Sequence, residues 1–245
     1  MASRADATRA MSAERWFFGG TAIAMAASIV IGFLPSYYLR GVIAPGHPIP
    51  SLTPLVHLHG LIFTAWMLLY VTQVLLVSAY RRDVHRRLGM AAVGLLPAMI
   101  AIALVSALYQ VSRASGPPIV SPLSWLAIPL ISVPIFAGLI GAGLAKRWDA
   151  ASHKRYMFLA MIEMTSPGFG RWPWPPSVPG PVVIFGFSDL FLLALICWDL
   201  KQRGRIHRAT LIGGGLMVGS QILRFAVWQT EPWLAFARWA AGLVA

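Results

Sequence analysis

The stretch from Thr53 to Met90 reads TPLVHLHGLIFTAWMLLYVTQVLLVSAYRRDVHRRLGM. It begins with a proline and two histidines, continues through a long apolar run, and ends in a group of arginines around a third histidine. About 20 apolar residues, at ~1.5 Å each, cross a hydrocarbon core of ~30 Å. The stretch therefore predicts one transmembrane helix with polar residues at both membrane surfaces.

The composition extends this interpretation to the whole chain. Of the 245 residues, 58% are hydrophobic and only 11% are charged, and the mean hydropathy is +0.69. A soluble domain of this size cannot bury so much apolar surface, so we predict an integral membrane protein. The net charge of +12 comes from short basic clusters between apolar runs, which indicates membrane topology and not a nucleic-acid-binding surface. The single cysteine, Cys197, excludes an intrachain disulfide and a cysteine-based metal centre.

Seven apolar runs predict an all-α bundle of seven transmembrane spans. They follow a polar cytoplasmic tail at 1–15 and precede an interfacial C-terminal tail at 230–245, so the transmembrane domain covers 16–229. The first run continues past its Ala-x-Ala sites, which favours an uncleaved anchor over a signal peptide. The predicted crossings are 16–39, 55–80, 88–109, 123–145, 156–170, 182–200 and 209–229.

The distribution of basic residues predicts the orientation of the bundle. The segment 1–15 and the loops 81–87, 146–155 and 201–208 hold 15 of the 20 Lys and Arg residues. Because cytoplasmic loops of membrane proteins are enriched in Lys and Arg, we expect the N-terminus inside and the C-terminus outside. The predicted location is the inner (plasma) membrane of a bacterium.

Ionisable residues within the predicted spans are the first candidates for a functional site, because such residues are costly in a membrane. Counted from the outer ends of the crossings, four of them lie ~7 to 12 Å deep. These four lie on different helices and form a predicted outer-leaflet layer: His59, Glu163, Asp189 and Arg224. Gln221 lies one turn from Arg224, and His57 and Arg171 lie nearer the membrane surface.

Two interpretations of this layer remain open. Arg224 can form a structural salt bridge with Glu163 or Asp189. Alternatively, the layer forms a pocket that opens to the outer face, in which His59 and the unpaired acid bind a metal ion, a proton or haem. Helical spacing directs His57 and His59 to different sides, which disfavours chelation of one ion by both.

Three further histidines, one in each basic loop, lie at the inner ends of the crossings: His85, His153 and His207. Anchoring at the interface and helix capping are one interpretation of their position. The alternatives are ligation of haem or a metal ion, and contact of the adjoining bases with anionic lipid headgroups.

Three motifs carry a resemblance to known membrane proteins: His57-Leu58-His59 with Gln73, Val84-His85-Arg86-Arg87-Leu88-Gly89, and Ser152-His153-Lys154-Arg155-Tyr156-Met157 with Arg171. Over roughly 55–171, the chain resembles a family of bacterial polytopic membrane proteins that is known only as a domain of unknown function. More distantly, histidines at helix ends followed by basic residues look like the di-haem cytochrome b and ferric-reductase superfamily. That likeness implies haem b held by two histidines.

Several function classes are excluded by missing residues. All three lysines lie in the basic loops, so no span offers a Schiff-base lysine for retinal. The sequence also lacks the common metalloprotease, hydrolase and nucleotide-binding motifs. Three classes stay open: a membrane-embedded binding or redox-accessory protein, a small proton- or ion-linked transporter or channel, and a structural subunit of a membrane complex.

Overall fold

The computed structural model describes residues 4–44, 49–117 and 120–244. This part of the chain is helical and contains no β-strand, which confirms the predicted all-α class. Its helices are α1 (Arg4–Phe33), α2 (Pro54–Ser78), α3 (Arg82–Arg113), α4 (Pro122–Trp125), α5 (Ala127–Ala145), α6 (Ala150–Phe169), α7 (Phe187–Arg203), α8 (Arg208–Val227) and α9 (Glu231–Ala241). A π-helical turn, Leu34–Tyr38, extends α1, and a second one, Val182–Gly186, precedes α7. Helix α1 begins at Arg4, within the segment predicted as a polar tail.

Within the described residues, six helical segments are long and apolar enough to cross a membrane. They are Ala13–Tyr38, Pro54–Ser78, Arg82–Arg113, Pro122–Ala145, Val182–Arg203 and Arg208–Val227. The chain is therefore a multi-pass membrane protein by the length and composition of its helices.

Helix α6 lies at the centre of the bundle and is less apolar than these six. It packs against α1, α5, α7 and α8, and every residue from Phe158 to Glu163 is buried. Its charged residues Lys154, Arg155 and Glu163 lower its hydropathy. Because protein surrounds α6, its polar groups can find partners within the bundle instead of facing lipid.

Two helices begin earlier than the sequence predicts. Helix α6 begins at Ala150 within the expected loop 146–155, and α3 begins at Arg82 within the expected loop 81–87. Asp149 accounts for the start of α6. Its carboxylate accepts hydrogen bonds from the backbone N–H groups of Ala151 and Ser152, at 3.1 and 3.3 Å. The predicted short fifth crossing, 156–170, is therefore part of a 20-residue helix.

The three basic loops meet at one end of the bundle, which we call the basic end. His85 lies beside His153, and Arg155 pairs with Asp199, whose carboxylate also accepts from the backbone of His207. The loop 171–181 lies at the opposite end, the tryptophan end. There the Trp172 indole donates to the Ser28 carbonyl at 3.1 Å.

The C-terminal tail forms α9, whose two faces differ. The Trp233 indole donates to the Leu123 carbonyl at 3.0 Å, and Ala237 and Ala240 are buried against the bundle. Phe236 and Trp239 are exposed on the other face. This arrangement is typical of a helix that lies at a membrane surface, the position predicted for residues 230–245.

Helices α1 and α6 approach so closely that only glycine fits at their crossing. A Cβ atom at Gly32 would overlap the carbonyl of Gly168, and a Cβ atom at Gly168 would come within 2.8 Å of the Ile29 Cα atom. Both obstacles are backbone atoms, which cannot rotate away. Small residues at such crossings allow close packing of helices in membranes.

We expect Gly32→Ala to destabilise the protein by ~1–3 kcal/mol, because the added methyl group forces the two backbones apart. Gly20→Ala is the matched control on the same helix, since a Cβ atom there meets nothing within 4 Å. The free energy of unfolding in detergent measures both effects. Equal stability of the two variants would contradict the close crossing.

Candidate functional site

Glu163 of α6 and Arg224 of α8 form a buried ion pair. The Arg224 Nη2 atom lies 3.0 Å from the Glu163 carboxylate, and the two side chains are 1% and 4% exposed. Ser220 also accepts a hydrogen bond from Arg224 at 3.0 Å. The sequence allows either Glu163 or Asp189 as the partner of Arg224, and in the structure the partner is Glu163.

The second acid of this region, Asp189 of α7, lies beside the ion pair without forming one of its own in the part of the chain that the structure describes. Its carboxylate accepts a hydrogen bond from the Gln221 side chain at 2.9 Å. Asp189 is half-buried, whereas Gln221 is buried. We call Glu163, Asp189, Gln221 and Arg224 the two-acid cluster.

A narrow gap adjoins the cluster just after the π-helical turn Val182–Gly186. Its lining includes Glu163, Ser166, Ser188 and Gln221, and it is too small to hold a water molecule. The Ser188 hydroxyl is buried there without a hydrogen-bond partner among the described residues. Ser166 donates to the Ile184 carbonyl, which lies in the π-helical turn. The gap is thus a narrow space with both polar and apolar walls, and not a pocket of ligand size.

The remaining member of the predicted layer, His59, has other neighbours. The His59 ring stacks on Phe63 with centroids 4.1 Å apart and lies near the Ile102 backbone of α3 and near Arg171. The structure therefore brings Glu163, Asp189, Gln221 and Arg224 together, while the contacts described for His59 are with α2, α3 and Arg171.

His57 and Arg171 also make contacts outside the two-acid cluster. The His57 ring lies 5.8 Å from that of Tyr37, so His57 and His59 have different neighbours, as their helical spacing predicts. Arg171 donates to the Pro167 carbonyl at 2.8 Å and lies over the Phe33 ring at 4.3 Å. These contacts hold the start of the loop 171–181 against α1 and α6.

A second buried ion pair lies at the basic end. The Arg155 guanidinium of α6 donates through Nε and Nη2 to the Asp199 carboxylate of α7, the former at 2.9 Å, and both side chains are almost fully buried. Asp199 also accepts from the Thr210 hydroxyl at 2.6 Å and from the His207 backbone N–H at 3.0 Å. This network joins α6, α7 and the start of α8.

Hydropathy does not predict this second pair, because Arg155 falls in the predicted loop 146–155 and Asp199 at the end of the predicted crossing 182–200. One feature of the sequence does indicate a buried pair. Asp199 lies inside the apolar run 182–200, where an acid needs a partner. Arg155 can be its partner because α6 begins at Ala150, which places Arg155 on a helix beside α7.

The three histidines of the basic loops have different roles. His207 caps α8, since its Nδ1 atom accepts from the Ala209 backbone N–H at 3.0 Å. His85 and His153 lie in the first turns of α3 and α6, with ring centroids 6.3 Å apart. His153 Nδ1 donates to the Gly143 carbonyl at 2.8 Å, which leaves its Nε2 lone pair available. His85 Nδ1 is buried and has no hydrogen-bond partner among the described residues.

No known protein family, curated protein or solved structure matches the chain. The resemblances drawn from its motifs therefore remain predictions. The described residues contain no group of three or more His, Cys, Asp or Glu side chains placed to hold a metal ion.

We expect Arg224→Leu to destabilise the protein by ~3–5 kcal/mol, because it leaves the Glu163 carboxylate buried without its counter-charge. Adding Glu163→Gln removes that charge and should restore part of the loss. Unfolding free energies of the two single variants and the double variant test this coupling. Additive effects would show that the two residues do not interact.

His207 predicts a pH dependence of stability. Burial, together with the charges of Arg155 and Arg203, lowers the pKa of His207, so the folded protein binds this proton less readily than the unfolded chain, whose histidines titrate near ~6.5. The stability contributed by the cap is therefore complete above about pH 6.5 and is lost as the pH falls through the lower, folded-state value. We expect His207→Asn, which retains a capping side chain, to reduce this loss, as measured by unfolding midpoints across pH. His57→Asn, at the tryptophan end, is the control, and an unchanged pH profile in His207→Asn would contradict the assignment.

Proposed function

We propose that the chain is a seven-span protein of the bacterial inner membrane, with α6 as the seventh crossing helix. Its 20 residues extend ~30 Å at ~1.5 Å each, which matches the hydrocarbon core. The basic end faces the cytoplasm, because it carries most of the Lys and Arg residues. The N-terminus is then inside, the C-terminus is outside, and the two-acid cluster lies in the outer leaflet.

The function that the geometry supports best is reversible binding of a proton by the two-acid cluster. The single observation that carries this proposal is the imbalance of charge, since the cluster contains two carboxyl groups and one guanidinium group. If both acids were ionised, the cluster would carry a net negative charge within the membrane, which is costly. A bound cation or proton removes that cost.

A proton suits the cluster better than a larger ligand does. The adjoining gap does not admit even a water molecule, whereas a proton needs only one free carboxylate oxygen. Arg224 keeps Glu163 ionised by direct pairing. Asp189, held by Gln221 on one side, is then the group that accepts the proton.

This assignment moves the proton acceptor from His59, the residue expected from the sequence, to Asp189. The contacts of His59 with Phe63, Ile102 and Arg171 place it beside other helices. Asp189 is half-buried, whereas Glu163 and Arg224 are buried, so Asp189 is the more accessible of the two acids.

Infrared difference spectroscopy of the purified protein at varied pH tests proton binding at Asp189. We expect a carboxylic-acid band that appears on acidification in the wild type and is lost in Asp189→Asn. Asp83→Asn is the matched control, because Asp83 is an exposed acid at the basic end, where it pairs with Arg81. If the titrating band survives in Asp189→Asn as it does in Asp83→Asn, the result would contradict the proposal.

Proton flux in proteoliposomes separates the forms that this function can take. Flux that falls in Asp189→Asn and not in Asp83→Asn would identify a proton-linked transporter or channel. Proton binding without flux would identify a membrane-embedded binding protein. If no buried carboxyl group titrates, the Glu163–Arg224 pair is a structural device and the chain is a structural subunit.

The pair His85 and His153 supports a second candidate, a redox-accessory protein that holds haem b or a metal ion at the basic end. Their ring spacing of 6.3 Å resembles that of two imidazoles that share one metal ion, which bind at ~2 Å through nitrogen. His153 also has the fixed tautomer that leaves a nitrogen free to ligate. When bound, such a group would supply one-electron chemistry.

Absorption spectroscopy after purification with added haemin tests this second candidate. We expect His85→Ala and His153→Ala to lose a Soret band that the wild type shows and that His207→Ala keeps, since the His207 ring caps α8. A wild type without this band would exclude haem b at the pair, and equal loss in all three variants would exclude the pair as its ligands.

A further inference from the structure

A cavity of about 360 Å³ opens at the basic end between α1, α6 and α7. We call it the basic pocket, and its lining residues are Glu14, Ala151, Lys154, Arg155, Trp198, Gln202 and Arg203. Unlike the gap beside the two-acid cluster, it has room for a small polar group. On α6 its lining residues Lys154 and Arg155 lie more than two helical turns before Glu163, and the pocket plays no part in the proposed proton binding.

The lining of the basic pocket carries more positive than negative charge. Three of its side chains are cationic and one is a carboxylate. Arg155 is held rigidly by Asp199 and by the Ala151 carbonyl, to which it donates at 2.7 Å. Lys154 pairs with Glu14, and Arg203 is exposed near the end of α7. The cations thus come from two helices and converge on one space.

The remaining wall suits a ligand with several acceptor oxygens. Gln202 adds an amide group that can donate to such a ligand. Trp198 is stacked on Phe17 with ring centroids 4.6 Å apart, so it forms a fixed side of the pocket. Arginine and lysine together are the usual partners of phosphate oxygens.

We propose that the basic pocket binds a phosphate group, carried either by an anionic lipid headgroup or by free phosphate. Arg203 and Lys154 contact the oxygens, and Arg155 contributes the N–H groups that Asp199 and Ala151 leave unused. The position of the pocket among the basic loops places it at the level of the cytoplasmic headgroups in the proposed orientation.

Glu14 is the internal competitor of the ligand. Its carboxylate accepts a hydrogen bond from the Lys154 ammonium group, and its negative charge repels a phosphate group in the pocket. When a phosphate group binds, Lys154 therefore breaks its ion pair with Glu14 and pairs with the phosphate oxygens instead. Removal of the Glu14 charge should strengthen binding, whereas removal of a lining cation should weaken it.

Binding is measured with the protein in phosphatidylcholine nanodiscs and with two probes. One probe is phosphatidylglycerol mixed into the nanodisc lipid, with pure phosphatidylcholine nanodiscs as the blank, and the other is inorganic phosphate. We expect Arg203→Gln and Lys154→Gln each to weaken binding of at least one probe about fivefold, and Glu14→Gln to strengthen it. Lys201→Gln is the matched control, because Lys201 is an exposed cation on the same helix that does not line the pocket.

The two probes also identify the source of the phosphate group. Binding of phosphatidylglycerol alone assigns a lipid headgroup, and binding of inorganic phosphate as well assigns free phosphate, and both results support the pocket. Equal weakening in Lys201→Gln and Arg203→Gln would show attraction to the whole basic end and would overturn the proposal. Binding of neither probe, or an unchanged affinity in Glu14→Gln and Arg203→Gln, would overturn it too. Circular dichroism confirms that each variant is folded.

Discussion

The charges on helix α6 have to find partners inside the protein, because four other helices enclose this helix. An unpaired ion in such a place costs several kcal/mol, even after the surroundings relax. Arg155 near one end of α6 is paired with Asp199 of α7, and Glu163 near the other end is paired with Arg224 of α8. These two pairs determine how α7 and α8 can dock on α6.

The pairing also explains how a helix with three charges can form the centre of a membrane protein. The outer helices meet lipid and are accordingly apolar, with lipid-facing residues such as Leu61, Met90 and Leu211 exposed. Helix α6 meets protein, so its side chains are selected for packing and pairing. The close crossing of Gly32 and Gly168 adds α1 to the same assembly.

Much of this architecture could be predicted from the sequence. Long apolar runs predict the helices, and the depths of Glu163, Asp189 and Arg224 place these three residues in one layer. Depth alone could not place His59, since residues at equal depth can face different helices. The sequence also could not reveal the Arg155–Asp199 pair, because the basic composition of the segment 146–155 hid the first turn of α6. Helix starts inside charged segments depend on a single cap such as Asp149, which hydropathy does not detect.

The two polar regions of α6 differ in the sign of the charge that their ion pairs do not neutralise. At the basic end, Asp199 is satisfied by four hydrogen bonds, and the surplus charge is positive and open to a cavity. In the two-acid cluster the surplus charge is negative, and the adjoining gap is too small to hold a ligand. The first arrangement favours an anion from the aqueous or headgroup side, and the second favours a proton.

The most direct test of the central claim is a carbon-13 NMR titration of the Asp and Glu carboxyl groups in lipid nanodiscs, with Glu163 and Asp189 assigned by substitution. We expect the Asp189 resonance to shift on acidification while Glu163 stays ionised beside Arg224. Protonation of Glu163 before Asp189, or an Asp189 resonance that never shifts, would contradict that claim.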